Sequence, residues 1–178
     1  MRRALTVAGL AGLVIVGGLV GDHIDTSLPF DRVIVLPGTA GVPVAIGKGA
    51  VTVHDATAGD RLEDPSGDVW DTRGRWVVLG VTLQGERGPI DDVNWWLEDG
   101  EGRRFEVTDR VRWNVPAAQP GMAVRSAVVF EVAPDVDLTA ATIVMTTHGY
   151  RQETAIRVAI ESDGGVLTIP DPELEEVP

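Results

Sequence analysis

The sequence has 178 residues and carries 27 acidic against 15 basic side chains, a formal net charge of −12 at pH 7. Because an acidic protein repels the phosphates of nucleic acids, we do not expect nucleic acid among its partners. The chain contains no cysteine, so disulfides, zinc–thiolate sites, a cysteine nucleophile and a lipid-modified N-terminal cysteine are excluded.

The N-terminal segment combines a basic start with a long apolar stretch. Arg2 and Arg3 precede Ala4 to Gly21, in which no residue is charged. As a helix these residues would span about 27 Å, just under the roughly 30 Å of a bilayer's hydrocarbon core. We predict that residues 1–21 form a transmembrane anchor, with the N-terminus in the cytoplasm and the rest of the chain outside. A cleaved signal peptide and a buried core helix are the alternatives.

Residues 22–49 are interrupted repeatedly by glycine and proline. We interpret them as a linker in which Val33 to Leu36 and Val42 to Ile46 form short edge strands, or alternatively as an extended stalk. The segment Ala50 to Ala56 alternates apolar and polar residues and predicts the first main strand. Thr57 to Arg73 is polar and crowded with acidic residues, and we predict a loop there.

The stretch from Gly74 to Leu83 is the longest β-favouring run outside the N-terminal segment,. We predict that it is a central strand of an antiparallel sheet. Its second face begins with Trp76 and ends with Thr82, so we expect that face to be covered only at its start. The face predicted to lie in the core carries Val77, Leu79, Val81 and Leu83.

A hairpin is predicted next. Val93 to Glu98 forms its first strand and Arg103 to Val107 its second, joined by a turn that begins at Asp99-Gly100,. Arg110 to Val115 is a further candidate strand. These elements predict a second set of strands that packs against the central one.

The last third of the chain repeats this strand pattern. Val124 to Val132 alternates over its second half, with Val129 facing outward, and Thr154 to Ile160 closes a hairpin with the strand before it. Val166 to Ile169 adds an edge strand, and residues 170–178 form an acidic tail that we expect to be disordered,.

We therefore predict an all-β fold. Residues 50–169 form an antiparallel β-sandwich, preceded by one N-terminal transmembrane helix. Its predicted core contains Val77, Leu79, Val81, Val128, Phe130, Val132, Ile156 and Val158.

Several short motifs resemble those of a known bacterial family. Gly74 to Leu83 is similar to its opening strand, and Leu97 to Gly100 followed by Phe105 is similar to its hairpin. Pro120-Gly121 and Val128 to Pro134 resemble its turn and its following strand. The family consists of extracytoplasmic domains and is catalogued as domain-of-unknown-function family 4352.

The resemblance covers Val51 to Ile160 and has consequences for fold and location. It implies an immunoglobulin-like sandwich, similar to the fold of secreted immunoprotective antigens. It also implies a domain that faces outward from a lipid anchor or a membrane helix. The family has no established catalytic residues, so the resemblance implies none here.

The residues themselves show no constellation of groups that indicates catalysis. The three histidines, His23, His54 and His148, lack metal-ligand spacing,, and no Gly-x-Ser-x-Gly motif is present,. Acidic residues in the predicted loop Thr57 to Arg73 could attract calcium, but a solvated acidic surface is the simpler interpretation. We expect no enzyme activity and no cofactor.

Adjacent tryptophans give the one interaction site that the sequence suggests. Trp95 and Trp96 must point to opposite faces of a strand. We predict that Trp95 fills the space between two sheets and that Trp96 lies on the outer face near Asp91 and Asp92, where it contacts a partner. The alternative is that residues 24–49 fold back over Trp96.

These observations predict a binding or structural module of the cell envelope. It would be held in the membrane through Ala4 to Gly21 and would contact an envelope protein or a cell-wall component. A secreted module that binds calcium or sugar is one alternative. A wall hydrolase that uses two carboxylates is the other.

Overall fold

Apolar and polar residues alternate along this chain between glycines and prolines, a pattern that forms strands. In the computed structural model the described residues form twelve strands and one short 3-10 turn at Leu138–Ala140. No helix among them is long and apolar enough to cross a membrane. The predicted anchor lies outside the described residues, which are 34–91, 93–111, 115–147, 152–163 and 165–177.

The strands form two sheets that pack face to face as a β-sandwich. The first sheet has the order β1-β9-β8-β5-β6. The second has the order β10-β3-β4-β7-β12, and β2 and β11 also pair with β3. The strands are β1 (Ile34–Thr39), β2 (Val44–Ile46), β3 (Gly49–Glu63), β4 (Val69–Gly85), β5 (Val93–Glu98), β6 (Arg104–Glu106), β7 (Met122–Val132), β8 (Thr142–Thr147), β9 (Gln152–Arg157), β10 (Ile160–Ser162), β11 (Val166–Thr168) and β12 (Glu173–Glu176).

Strand β4 is the central strand of the second sheet, as predicted. It pairs antiparallel with β3 on one side and with β7 on the other. Its inward residues pack against Trp95, Ile143 and Ile156 of the first sheet. All eight predicted core residues are buried, none with more than 2% of its surface exposed. The main core therefore contains the residues that the alternation of apolar and polar positions predicted.

A second, smaller core covers the opposite face of β4 at its start. Trp76 is fully buried there and packs with Leu62, Leu167 and Ile169. The prediction that this face is covered only at its start is confirmed. Val129 points to this outer face, as predicted, but it is buried in the second core rather than exposed.

The loop predicted at residues 57–73 was wrong, because β3 and β4 continue through it as one long hairpin. Only a short turn separates the two strands. The Asp64 carboxylate closes this turn by accepting hydrogen bonds from the backbone N–H groups of Ser66 and Asp68 and from Trp70 Nε1, at 2.9, 3.0 and 3.0 Å. Of the acidic residues that suggested a loop, Asp60, Glu63 and Asp71 lie in the two strands, and Asp64 and Asp68 lie in the turn.

The single strand predicted at residues 154–160 is divided between the two sheets. β9 ends at Arg157, and β10 begins at Ile160 in the other sheet, where it runs parallel to β3. β11 is also parallel to β3, so the sandwich is not wholly antiparallel. Val158 stays buried at the crossing. Apolar alternation therefore continues through the change of sheet and conceals it in the sequence.

The ends of the described chain form edge strands. β12 lies in the acidic tail that we expected to be disordered, and it pairs antiparallel with residues 122–125 of β7. Edge pairing uses backbone groups, so the three acidic side chains of β12 do not prevent it, and all four residues of the strand are exposed. β1 and β2 form within the predicted linker, at Ile34–Thr39 and Val44–Ile46. The described residues of 110–115 lie in no strand.

The predicted hairpin turn between β5 and β6 is organised by Asp99. Its carboxylate accepts hydrogen bonds from the backbone N–H groups of Glu101 and Arg103, at 3.0 and 2.9 Å, and from Arg103 Nε at 2.7 Å. Gly102 has φ of 80°, a conformation that glycine adopts without steric cost. The Asp-Gly turn therefore closes the hairpin as the sequence indicates.

Replacing Phe130 by alanine tests the main core. Phe130 is fully buried, so Phe130→Ala should lower the free energy of unfolding by about 3–5 kcal/mol. Val107 bridges to Phe130 but is 39% exposed, so Val107→Ala should cost under about 1 kcal/mol. Urea unfolding followed by tryptophan fluorescence measures both. A loss below about 1 kcal/mol for Phe130→Ala would contradict the assigned core.

The Asp99 turn predicts a pH dependence of stability. Burial alone would raise the pKa of Asp99, but the hydrogen bonds from Arg103 and Glu101 outweigh it and hold the pKa below its ordinary value of 3.8. The ionised group therefore stabilises the fold fully above about pH 3.8, and this contribution is lost as the pH falls further.

Asp99→Asn should lower the melting temperature at pH 7 and reduce the further decrease between about pH 4 and pH 2. The exposed Asp109 provides the control, because Asp109→Asn removes the same charge outside this turn. Melting temperatures measured across that pH range decide the matter. Identical pH profiles for the two variants would show that the turn does not depend on ionised Asp99.

Candidate binding groove and the Trp96 face

The structure places the two adjacent tryptophans on opposite faces of β5. Trp95 is 6% exposed and packs in the main core between the sheets, as predicted. Trp96 lies on the outer face of the first sheet and is half-buried. Its neighbours in register are Glu106 and Val144.

The outer face around Trp96 is charged and includes a contact that the sequence analysis did not name. The Arg104 guanidinium lies 5.9 Å from the centre of the Trp96 ring, and its Nε is 2.8 Å from Glu98 Oε2. Pairing β6 back onto β5 through the Asp-Gly turn would have revealed this neighbour. Asp91 is exposed just before β5, and Asp92 lies outside the described residues.

The alternative cover for Trp96 is not provided by the strands of residues 34–49. β1 lies at the opposite edge of the sheet from β5, beyond β9 and β8. β2 belongs to the other sheet. Arg104 is therefore the neighbour that partly covers the Trp96 ring among the described residues.

A groove of about 500 Å³ lies on the outer face of the second sheet, beside the second core. We call it the C-terminal groove. Its floor is formed by β3, β4 and β7, and its wall by Asp163 and by residues 166–173, which include β11 and the start of β12. Its lining residues are Asp55, Thr57, Val78, Gly80, Arg125, Ser126, Ala127, Asp163, Val166, Leu167, Thr168, Pro170, Asp171 and Glu173.

A β-bulge directs Asp55 into this groove. Val53 pairs with Val81 and Ala56 with Leu79, so His54 and Asp55 together oppose Gly80 alone. Bulges of this kind locally re-aim side chains. Because Asp55 Oδ1 would lie 3.2 Å from a Cβ at Gly80, the glycine keeps the floor open beneath the carboxylate.

The bulge is held by a side-chain contact outside the backbone ladder. His54 Nε2 and Thr82 Oγ1 are 2.8 Å apart and form a hydrogen bond across the two strands. His54 therefore lies on the outward side of its strand, as predicted, but it is half-buried and hydrogen-bonded. Its neighbour Asp55 is exposed.

The groove combines charged walls with an apolar floor. Val78 lies half-buried on the floor, and Val166 and Pro170 contribute exposed apolar surface on the wall. Arg125 is the one basic residue among the lining residues, and it stands opposite Glu173 in strand register. The acidic lining residues are Asp55, Asp163, Asp171 and Glu173.

The groove's carboxylates are dispersed rather than clustered. Across the described part of the chain, no group of three histidine or acidic residues is close enough to hold a metal ion. The acidic residues of the β3–β4 hairpin, which we considered for calcium, do not line the groove either. The arrangement can therefore form several separate hydrogen bonds and ion pairs with one ligand.

Sequence reasoning missed the groove for a physical reason. Its lining comes from β3, β4, β7 and the C-terminal segment, and only the three-dimensional fold brings these together. The irregular alternation from Val53 through Ala56, with two polar residues between, was the one local sign of the bulge. The sequence contains no sign of the C-terminal wall, because the acidic composition of the tail is typical of a segment exposed to solvent.

Comparison with known proteins shows the fold alone. No protein-family model and no curated protein matches the sequence. The secreted protein MPT63 from Mycobacterium tuberculosis is similar in structure, with a TM-score of 0.50 and 12% identity over 68% of this chain and 96% of that one.

Two further solved structures align over a similar part of the chain. An uncharacterized β-sandwich protein from Clostridium difficile has a TM-score of 0.48 and 7% identity, covering 68% of this chain and 92% of that one. The yjhA protein from Bacillus subtilis has a TM-score of 0.45 and 11% identity, covering 67% and 98%. The likeness to MPT63 shows a β-sandwich shared with a secreted protein.

The two tryptophans should differ in their effect on stability. Trp95→Ala removes a buried ring and should lower the free energy of unfolding by about 3–5 kcal/mol. Trp96→Ala removes a half-buried ring and an exposed cation–π contact, so it should cost about 1 kcal/mol. Urea unfolding followed by far-ultraviolet circular dichroism compares them. Equal losses would show that Trp96 is a core residue rather than a surface one.

Proposed function

We propose that this protein is a binding module of the cell envelope, without catalytic activity, and that the C-terminal groove is its binding site. The C-terminal groove is the observation that supports this proposal most directly. Its volume, about 500 Å³, lies within the roughly 300–1,000 Å³ of small-molecule and cofactor sites. Like those sites, it combines an apolar floor with a few convergent polar groups.

The proposed location is extracytoplasmic, with residues 4–21 holding the chain in the membrane. The uninterrupted apolar length of that segment supports an anchor, and the two arginines before it support a cytoplasmic N-terminus. The shared fold with a secreted protein is in keeping with a domain outside the cytoplasm. We also propose an immunoglobulin-like arrangement and membership of domain-of-unknown-function family 4352, on the motifs described above.

The Trp96 face is the second surface that we propose for a partner. An aromatic ring that remains partly exposed beside charged groups is typical of residues that anchor protein–protein contacts. Trp96 supplies the ring, Asp91 and Asp92 are the proposed acidic contacts before β5, and Arg104 adds a guanidinium. This surface lies on the other sheet from the groove, so variants can separate the two.

Protease added to intact spheroplasts tests the location. The β-sandwich should be digested without lysis, whereas a cytoplasmic marker protein should be protected. N-terminal sequencing of the native protein should find residues 1–21 retained. Protection of the sandwich until lysis would contradict the proposed topology. A mature start near Leu19 or Asp22 would show a secreted protein without an anchor.

Capture of partners from detergent-solubilised membranes tests the binding role. Gly80→Phe directs a ring into the groove, where the nearest side chains are those of Asp55 and His54. It should therefore abolish capture of a groove-bound partner. Val69→Phe, at a position 52% exposed and outside the groove, is the matched control and should leave capture intact. Recovery of no specific partner, or equal capture by both variants and by Trp96→Ala, would contradict the proposal.

A further inference from the structure

The ion pairs of the described residues lie outside the C-terminal groove. Arg103, Arg104 and Arg110 each contact a carboxylate, on Asp99, Glu98 and Glu131 respectively. In the described part of the chain, no ion pair involves any charged residue that lines the groove. These residues are Asp55, Arg125, Asp163, Asp171 and Glu173.

The charge of the groove favours a positively charged ligand. Four carboxylates against one guanidinium give the lining a formal charge of −3, since four negative charges and one positive charge sum to that value. Low-dielectric walls around a concave site concentrate its potential. The carboxylates come from β3, from the residue after β10, from the segment between β11 and β12 and from the start of β12. They therefore suit separate positive groups rather than one metal ion.

The uncharged lining residues and Arg125 further limit the chemical class of the ligand. The apolar surface of Val78, Val166 and Pro170 can cover methylene groups, as the long stems of lysine and arginine require. Arg125 offers planar hydrogen-bond donors that match a carbonyl or carboxylate group. A simple amine has no acceptor of that kind, whereas a peptide has one in every residue and another at its C-terminus.

We infer that the C-terminal groove binds a short peptide segment carrying at least two lysine or arginine side chains, with a carbonyl or carboxylate of the peptide held by Arg125. The inference rests on the proposed role of the groove as a binding site and adds the chemistry of its ligand. The positive groups are placed at Asp55 and Asp163 on one side and at Asp171 and Glu173 on the other. The aliphatic stems lie over the floor between them.

Isothermal titration of the full chain in phosphatidylcholine nanodiscs provides the test, with empty nanodiscs as the blank. The probe is a tri-lysine peptide with a free C-terminus. It should bind with one-to-one stoichiometry, and its affinity should fall as salt is raised, because exposed ion pairs are screened. The same peptide acetylated on its side-chain amines should not bind. Equally tight binding of the acetylated peptide would overturn the inference.

Isosteric variants locate the contact. Asp55→Asn and Asp171→Asn should each weaken tri-lysine binding by about two- to fivefold, the range expected for single exposed ion pairs. Asp68→Asn removes the same charge at an exposed position outside the groove and should change the affinity less than about twofold. Melting curves confirm that each variant is folded. Equal weakening by all three variants would show non-specific attraction and overturn the inference.

Arg125 distinguishes a peptide from other cations. Arg125→Gln should weaken binding of tri-lysine but strengthen binding of spermidine, a polyamine without an acceptor, because it removes a positive charge from the lining. Binding of spermidine alone, or displacement of tri-lysine by millimolar calcium, would overturn the peptide assignment. If no cationic probe binds while Gly80→Phe still abolishes partner capture, the ligand chemistry is wrong and the binding role stands. If capture also fails, both are wrong.

Discussion

The whole structure depends on the burial of β4, which is covered on both faces along one half and on a single face along the other. Its inward residues meet the five-stranded sheet throughout. Its outward residue Trp76 needs a cover of its own, which Leu62, Leu167 and Ile169 supply. The segment following β9 crosses to this side of the sandwich and supplies Leu167 and Ile169, and burying the tryptophan ring removes a large apolar surface from water.

The groove begins where that cover ends. Beyond Val78 the outward positions of β4 are Gly80 and Thr82, which provide no apolar side chain for the C-terminal segment to cover. The bulge at His54–Asp55 also depends on the absence of a side chain at Gly80, because a larger residue at this position would contact the Asp55 side chain. The small residues that end the second core therefore also create the concave surface beside it.

The sequence predicted those features that depend on local periodicity. Val77 and Phe130 are buried because a period of two assigns each residue of a strand to one face, and the Asp99 turn follows from its own side-chain chemistry. The division of residues 154–160 between the two sheets was missed because Val158 would be buried in one continuous strand and is also buried at the crossing between the sheets. β12 was missed because backbone hydrogen bonds hold an edge strand, and these bonds do not depend on the side chains. Its acidic sequence therefore gave no sign of the pairing. No local pattern reports contacts between such distant segments.

The carboxylates of this protein fall into two groups, those that pair with arginine and those that line the C-terminal groove. Where the carboxylates of Asp99 and Glu131 meet arginine, they fix a turn and a strand surface. The carboxylates of the groove form no such pair within the described residues and are exposed to solvent. Their position on one concave surface leaves them accessible to a ligand that supplies positive charge, and the proposed peptide site rests on this arrangement.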